Sequence, residues 1–187
     1  IARIVSSLFT PLVWIPLGVE GLIWHSFKSE NLVWWQPSIL SLVFVFIPLA
    51  FFFISLKMGR FDFDLNSKEE RFRFFIFAVA CGFFGLNLAY YFSPRLFRIF
   101  LGLTLTGLVF AVVTFWDKAS IHVGSLTTLY LVFNILSDWR YFWLLPIIPL
   151  VAWSRIVLKN HNLAQVLEGF LIPLVSIPIS FFILAIS

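Results

Sequence analysis

Ser154-Arg155, then five residues, then His161, then three residues and Gln165 form the densest chemistry-bearing stretch of this chain. Two cations, Arg155 and Lys159, and a histidine fall in one short polar break between apolar runs. An imidazole can attack phosphorus. A guanidinium holds two phosphoryl oxygens at once, and an ammonium adds a point charge. The break Asp117-Lys118-Ala119-Ser120 leads into Ile121-His122 and supplies a second histidine beside a cation and a hydroxyl. That histidine could protonate a leaving oxygen and later activate water. Arg71 stands where a longer polar segment, Lys57–Arg71, enters an apolar run. These residue types suit phosphoryl transfer without a metal. No cluster of carboxylates or cysteines points to a metal site, and no cofactor is expected.

The elements that must position them are transmembrane helices. The 187 residues are 61% hydrophobic and 12% charged, with 25 Phe and 8 Trp. That is not the composition of a soluble domain. It predicts an all-α, polytopic transmembrane bundle of about six to seven spans forming one domain over residues 1–187. Seven apolar runs approach the ~20 residues a spanning helix needs. They are Ile4–Trp24, Ser38–Leu56, Phe72–Phe92, Phe97–Trp116, Ile121–Leu136, Tyr141–Val157 and Leu163–Ile186. The fifth and sixth are short. Prolines 11, 16, 48, 146, 149, 173 and 178 lie inside runs and are expected to kink them. Gly82, Gly85, Gly102 and Gly107 read as helix-packing points.

Two spans separate the 57–71 connection from the 117–120 connection, and two more separate the latter from 155–162. All three therefore fall on one side of the membrane. Arg71, Lys118, Ser120, His122, Arg155 and His161 can converge there. Ser120 is the expected N-cap of the fifth run. His161 is expected to open the last helix, sharing a face with Gln165 at i,i+4. The motif side carries more Lys and Arg than the other. Three of those are candidate site residues, so orientation stays open.

Other polar residues have plainer readings. His25, beside Trp24 and near Trp34 and Trp35, reads as an interfacial loop residue. Glu69-Glu70 reads as a solvated turn. Arg60, Arg73 and Lys159 read as headgroup or topology charges. Cys81, the lone cysteine, reads as a small packed core residue. The net charge of +4 is scattered, so nucleic acid is not an expected partner. The chain opens at Ile1 with no Met, so its beginning gives no reading of a signal peptide.

The three polar blocks resemble the signatures of the type 2 phosphatidic acid phosphatase superfamily, which includes vanadium haloperoxidases and glucose-6-phosphatase-like enzymes. Ser154-Arg155 and His161 are similar to its third signature, with Gln165 where that signature has Asp. Lys118-Ala119-Ser120-Ile121-His122 resembles a variant second signature of small bacterial and archaeal members. Ser67-Lys68-Glu69-Glu70-Arg71-Phe72 resembles the degenerate first signature of the same members.

The resemblance implies a core like that superfamily's in a multi-pass protein of a bacterial or archaeal inner membrane. It implies a membrane phosphatase acting on a lipid phosphate or isoprenyl diphosphate, with membrane lipids as partners. His161 would be the nucleophile and His122 the general acid. Arg155, Lys118, Arg71 and Ser120 would bind phosphate, and Gln165 would orient His161. A neutral Gln165 stabilises an imidazolium less than Asp does, with Glu168 as a nearby substitute. Two alternatives follow: an inactive accessory subunit of a larger membrane complex, and a lipid phosphotransferase.

Overall fold

The computed structural model describes residues 1–183, so the end of the seventh run, 184–186, lies outside the described residues. The described residues form helices α1 (Ala2–Leu8), α2 (Pro11–Glu30), α3 (Trp35–Ser41), α4 (Ile47–Lys57), α5 (Lys68–Phe92), α6 (Pro94–Val113), α7 (Ile121–Leu136), α8 (Ile147–Val157) and α9 (Leu163–Ile183). A π-helical turn, Leu42–Phe46, joins α3 to α4. There is no strand among these residues, and the expected all-α bundle is what forms. Five stretches are long and apolar enough to cross a bilayer: Ala2–Glu30, Trp35–Lys57, Lys68–Phe92, Pro94–Val113 and Leu163–Phe182. This is a multi-pass membrane protein.

Proline decides where the apolar runs break. The first run divides at Phe9-Thr10, because Pro11 restricts Thr10 to extended backbone (ψ 131°) and then opens α2 at its first position. Residues 2–8 thus form a separate short helix that packs on α8. The second run continues through Pro48 only by widening into the π turn just before it. The sixth run is not one helix. Phe142–Leu144 makes a 3₁₀ turn, Pro146 ends it, and α8 has 11 residues. At ~1.5 Å per residue α8 is ~16 Å long, about half the hydrocarbon thickness. Pro16, Pro173 and Pro178, by contrast, stay inside continuous helices.

α5 and α6 form a hairpin turned at one residue, Ser93, whose Oγ accepts from Leu96 N–H at 3.1 Å and caps α6. α9 packs against both α6 and α7, and α2 packs on α7. Without a hydrophobic drive between helices in lipid, close backbone approach sets these contacts. The four glycines expected at packing points do face neighbouring helices or turns, as Gly82 faces Thr104 and Gly102 faces Ser180. The closest approach of a glycine to another backbone involves Gly169 on α9, where an added Cβ would collide with the Ser120 backbone carbonyl. Opposite it, a Cβ on Gly124 of α7 would stand 3.2 Å from the Gly169 carbonyl. Two glycines therefore press the 117–120 connection and the start of α7 onto α9.

Three plainer expectations change. His25 is an exposed residue within α2, not in a loop. Glu69 and Glu70 lie in the first turn of α5, and Glu70 joins its cap rather than a solvated turn. Cys81 is half-buried, outside the packed core.

Candidate functional site

The three polar connections meet at one end of the bundle, as the parity of spans requires. Arg71 enters from the first turn of α5 and is 5% exposed. Its Nε donates to the Leu65 carbonyl at 2.8 Å and its Nη1 to the Ala119 carbonyl at 2.9 Å. Those two carbonyls belong to the first and second connections, so this one guanidinium ties them together.

Arg155 sits in the last turn of α8 and is 4% exposed. Lys159 takes the left-handed conformation (φ 57°), turning the chain so that the N–H groups of Asn160 and His161 both donate back to the Arg155 carbonyl. The guanidinium is held from three directions. Nη1 donates to Ser6 Oγ at 2.7 Å, and Asn160, with its amide oxygen turned inward, accepts from both Nη1 and Nη2 at 3.1 Å. Asp64 stands 3.9 Å from Nη2. Ser6 is a contribution of α1 that no motif announces.

Asp64 is the one carboxylate within ion-pair distance of either guanidinium among the described residues. Its side chain is 40% exposed, so solvent screens it. Arg155 Nε is also buried without a hydrogen-bond partner. Excess positive charge and an orphaned donor together describe a place for an anion.

Both histidines line the same cavity as the guanidiniums. It has a volume of about 230 Å³ and is walled by Arg71, His122, Arg155 and His161 at its polar end. Its remaining walls are largely apolar, from Pro16 and Val19 on α2 through Leu49 and Phe52 on α4 to Phe75 on α5 and Phe110 on α6. A second, polar cavity lies against it, lined by Arg3, Ser6, Asp62, Asn66 and Asn160. His122, Arg155, Asp64, Thr10 and Phe63 face both cavities. The cationic end is thus the wall between an apolar chamber and a polar vestibule.

His161 lies two residues before α9, not within it. Asn162 is the cap: its Oδ1 accepts from Gln165 N–H at 2.9 Å, and its own N–H reaches Gln165 Oε1 at 3.3 Å. Gln165 meets His161 by reaching back from the first turn, with Oε1 3.1 Å from His161 Nδ1. Its Nε2 donates to Asp117 Oδ1 at 2.6 Å. The backbone follows the same path, since Ser120 N–H donates to the Gln165 carbonyl at 2.8 Å.

Burial, with the charges of Arg71 and Arg155, pushes the His161 imidazole down to about 4, although bonds to Gln165 and the Lys118 backbone favour its charged form. The ring is therefore neutral, and able to act as a nucleophile, at neutral pH. Burial alone would raise Asp117. Hydrogen bonds from Gln165 and Lys118 N–H, with Lys68 and His161 nearby, instead hold its carboxyl below the usual carboxylate range.

Four of the expected site residues, Arg71, His122, Arg155 and His161, line one cavity, and Gln165 bonds one of them. Lys118 and Ser120 line neither cavity. Ser120 precedes α7 in extended backbone, as a cap residue would, but its side chain makes no capping bond. Glu168, the expected substitute for the missing Asp, has its Oε2 buried without a partner. The carboxylate that reaches the histidine's partner is Asp117. Its signal in the sequence was only its position beside Lys118. Compared with protein-family models, with curated proteins and with solved structures, the chain matches none.

Proposed function

We propose that the protein is an integral membrane phosphatase acting on a lipid phosphate or isoprenyl diphosphate through a phosphohistidine. The observation that carries this reading is the junction of the two cavities. Two buried guanidiniums and two histidines close the polar end of an apolar chamber, and two of these four, Arg155 and His122, also face a polar vestibule. An amphiphile with an anionic head fits both sides at once. Its chain occupies the chamber and its phosphate meets Arg71 and Arg155. The resemblance of the three polar blocks to the type 2 phosphatidic acid phosphatases supports the same assignment.

In the first step His161 Nε2 attacks phosphorus. The N–P bond forms as the P–O bond to the alcohol breaks. The electron pair goes to the leaving oxygen, which takes a proton from His122 in its imidazolium form, a form the bound phosphate's negative charge favours, and leaves that ring neutral. Water from the vestibule then gives its proton to His122 and attacks the phosphohistidine, breaking the N–P bond and freeing His161 and phosphate. Charge gathers on the equatorial oxygens in both steps, and fixed guanidiniums stabilise it without reorganising.

The test is phosphate release from a panel of lipid phosphates and isoprenyl phosphates by purified protein, with His161→Ala as control. Release by the native protein alone, blocked by vanadate, is the expected result. No release from any substrate, with no vanadate binding, would sink the reading and favour an accessory subunit. The vestibule beside His122 favours hydrolysis over transfer. An added alcohol acceptor that collected the phosphate would reverse that preference.

A further inference from the structure

We infer that Asp117 is a positioning residue that acts on His161 through the Gln165 amide, so that a Gln and a distant Asp together replace a directly bonded carboxylate. The inference rests on the proposed phosphatase only for its kinetic readout; its structural readout is independent.

A side-chain amide has a donor end and an acceptor end, and nothing intrinsic decides which faces the histidine. Asp117 decides it. An ionised carboxylate only accepts, so the 2.6 Å bond to Asp117 Oδ1 must be made by Gln165 Nε2. The other end, Oε1, then faces His161 Nδ1 at 3.1 Å. A carbonyl oxygen only accepts, so the Gln165 bond is made when the one ring proton of neutral His161 sits on Nδ1, held there against the Lys118 backbone carbonyl, which is the ring's other acceptor. Nε2 is left with its lone pair, which is the atom that must reach phosphorus.

The 3.3 Å bond from Asn162 N–H to Gln165 Oε1 favours the same orientation, but it is the longer of the two restraints. Asp117 is itself fixed, since Oδ1 accepts from Lys118 N–H at 2.6 Å. The charged groups around this chain of bonds are Arg71 and Arg155 beside His161, and Lys68 and Glu168 beside Asp117. None of them occupies the amide. When the ring becomes positive in the phosphohistidine, the amide dipole passes part of the Asp117 charge towards it.

The experiment uses the full chain in lipid nanodiscs with nitrogen-15 histidine. NMR of the His161 ring nitrogens reads the tautomer at pH 7, and phosphate release gives kcat and KM. Native protein should show Nδ1–H. Asp117→Ala should mix the tautomers and lower kcat by about tenfold to a hundredfold with KM held, the range typical of groups that orient a reacting ligand. Gln165→Met makes the same break from the other side, should Asp117→Ala fail to fold. Gln165→Asp bonds His161 directly, and in that background Asp117→Ala should no longer alter the tautomer.

Nε2–H in the native protein, or a tautomer indifferent to both Asp117→Ala and Gln165→Met, overturns the inference. A tautomer that follows Asp117 in a protein releasing no phosphate sustains it while the phosphatase reading fails. Phosphate release with an indifferent tautomer overturns it and leaves the phosphatase reading standing.

Discussion

The first turns of α5 and α9 are built alike and do different things. At α5, Ser67 Oγ accepts from Glu70 N–H at 3.1 Å, and Glu70 Oε2 accepts from Asp62 N–H at 3.2 Å. At α9, Asn162 and Gln165 form the corresponding pair. The α9 box satisfies donors that a helix start leaves open at both ends; at α5 Ser67 does so, and Glu70 instead holds the preceding connection at Asp62. The α5 box ends there, because both of its acceptors meet backbone N–H groups. The α9 box has a side chain with two unlike ends, and each end finds a further partner. A carboxylate in place of Gln165 could cap equally well, but it could not donate to Asp117. The amide of Gln165 is the group that lets a cap also carry orientation to a histidine.

The functional difference between the two helix starts vanishes most completely when the histidine is removed. His161→Ala leaves both caps intact and should reduce phosphate release by about a thousandfold or more, measured against native protein at saturating substrate. Gly169→Ala should come next. Its new methyl meets the Ser120 carbonyl, so either α9 or the 117–120 connection must move. Thermal unfolding should report about 1–3 kcal/mol of destabilisation. Phosphate release should fall with it, whereas Gly21→Ala, whose new methyl would meet nothing closer than the Phe133 ring at 3.8 Å, should leave the site unaltered.

Titration separates the two starts further. Free His161 should titrate near pH 4 by NMR. Its depressed value means that the unfolded chain takes up the proton first. Its contribution to stability is present above the ordinary histidine range and is lost as pH falls towards 4. Vanadate should raise the value, because an anion offsets the guanidiniums that lower it; no movement would place vanadate elsewhere. The smallest effects belong to the caps themselves. Ser67→Ala and Asn162→Ala should each cost about 1 kcal/mol in denaturation. Only Asn162→Ala should also change kcat.

Much of this site is legible in the sequence because spacing along a polytopic chain fixes sides. Counting spans between Arg71, Lys118 and Arg155 is enough to bring their connections together, with no knowledge of helix packing. What fails to show are contacts made by partners outside the motifs. Ser6 bonds Arg155 across 149 residues, and Asp117 bonds Gln165 across 48. Neither pair has a periodicity. Each depends on a local feature of the backbone, the break before Pro11 for the first and the close approach at Gly169 for the second. The expectation that His161 begins a helix fails for a local reason. Asn162 is the better cap, so the histidine stays outside the helix and Gln165 must fold back to it. Lys118 shows the converse limit. Its side chain has the right charge in the right block, yet the cavity is lined without it.

The wall shared by chamber and vestibule also bears on what happens after the bond is cut. Cleavage there would sort its products by solubility. The alcohol would remain on the oily side, while inorganic phosphate would be set free on the watery side. Neither has to pass the other on the way out, and each departure makes the return reaction less frequent. Turnover on this geometry would be one-way in space as well as in chemistry.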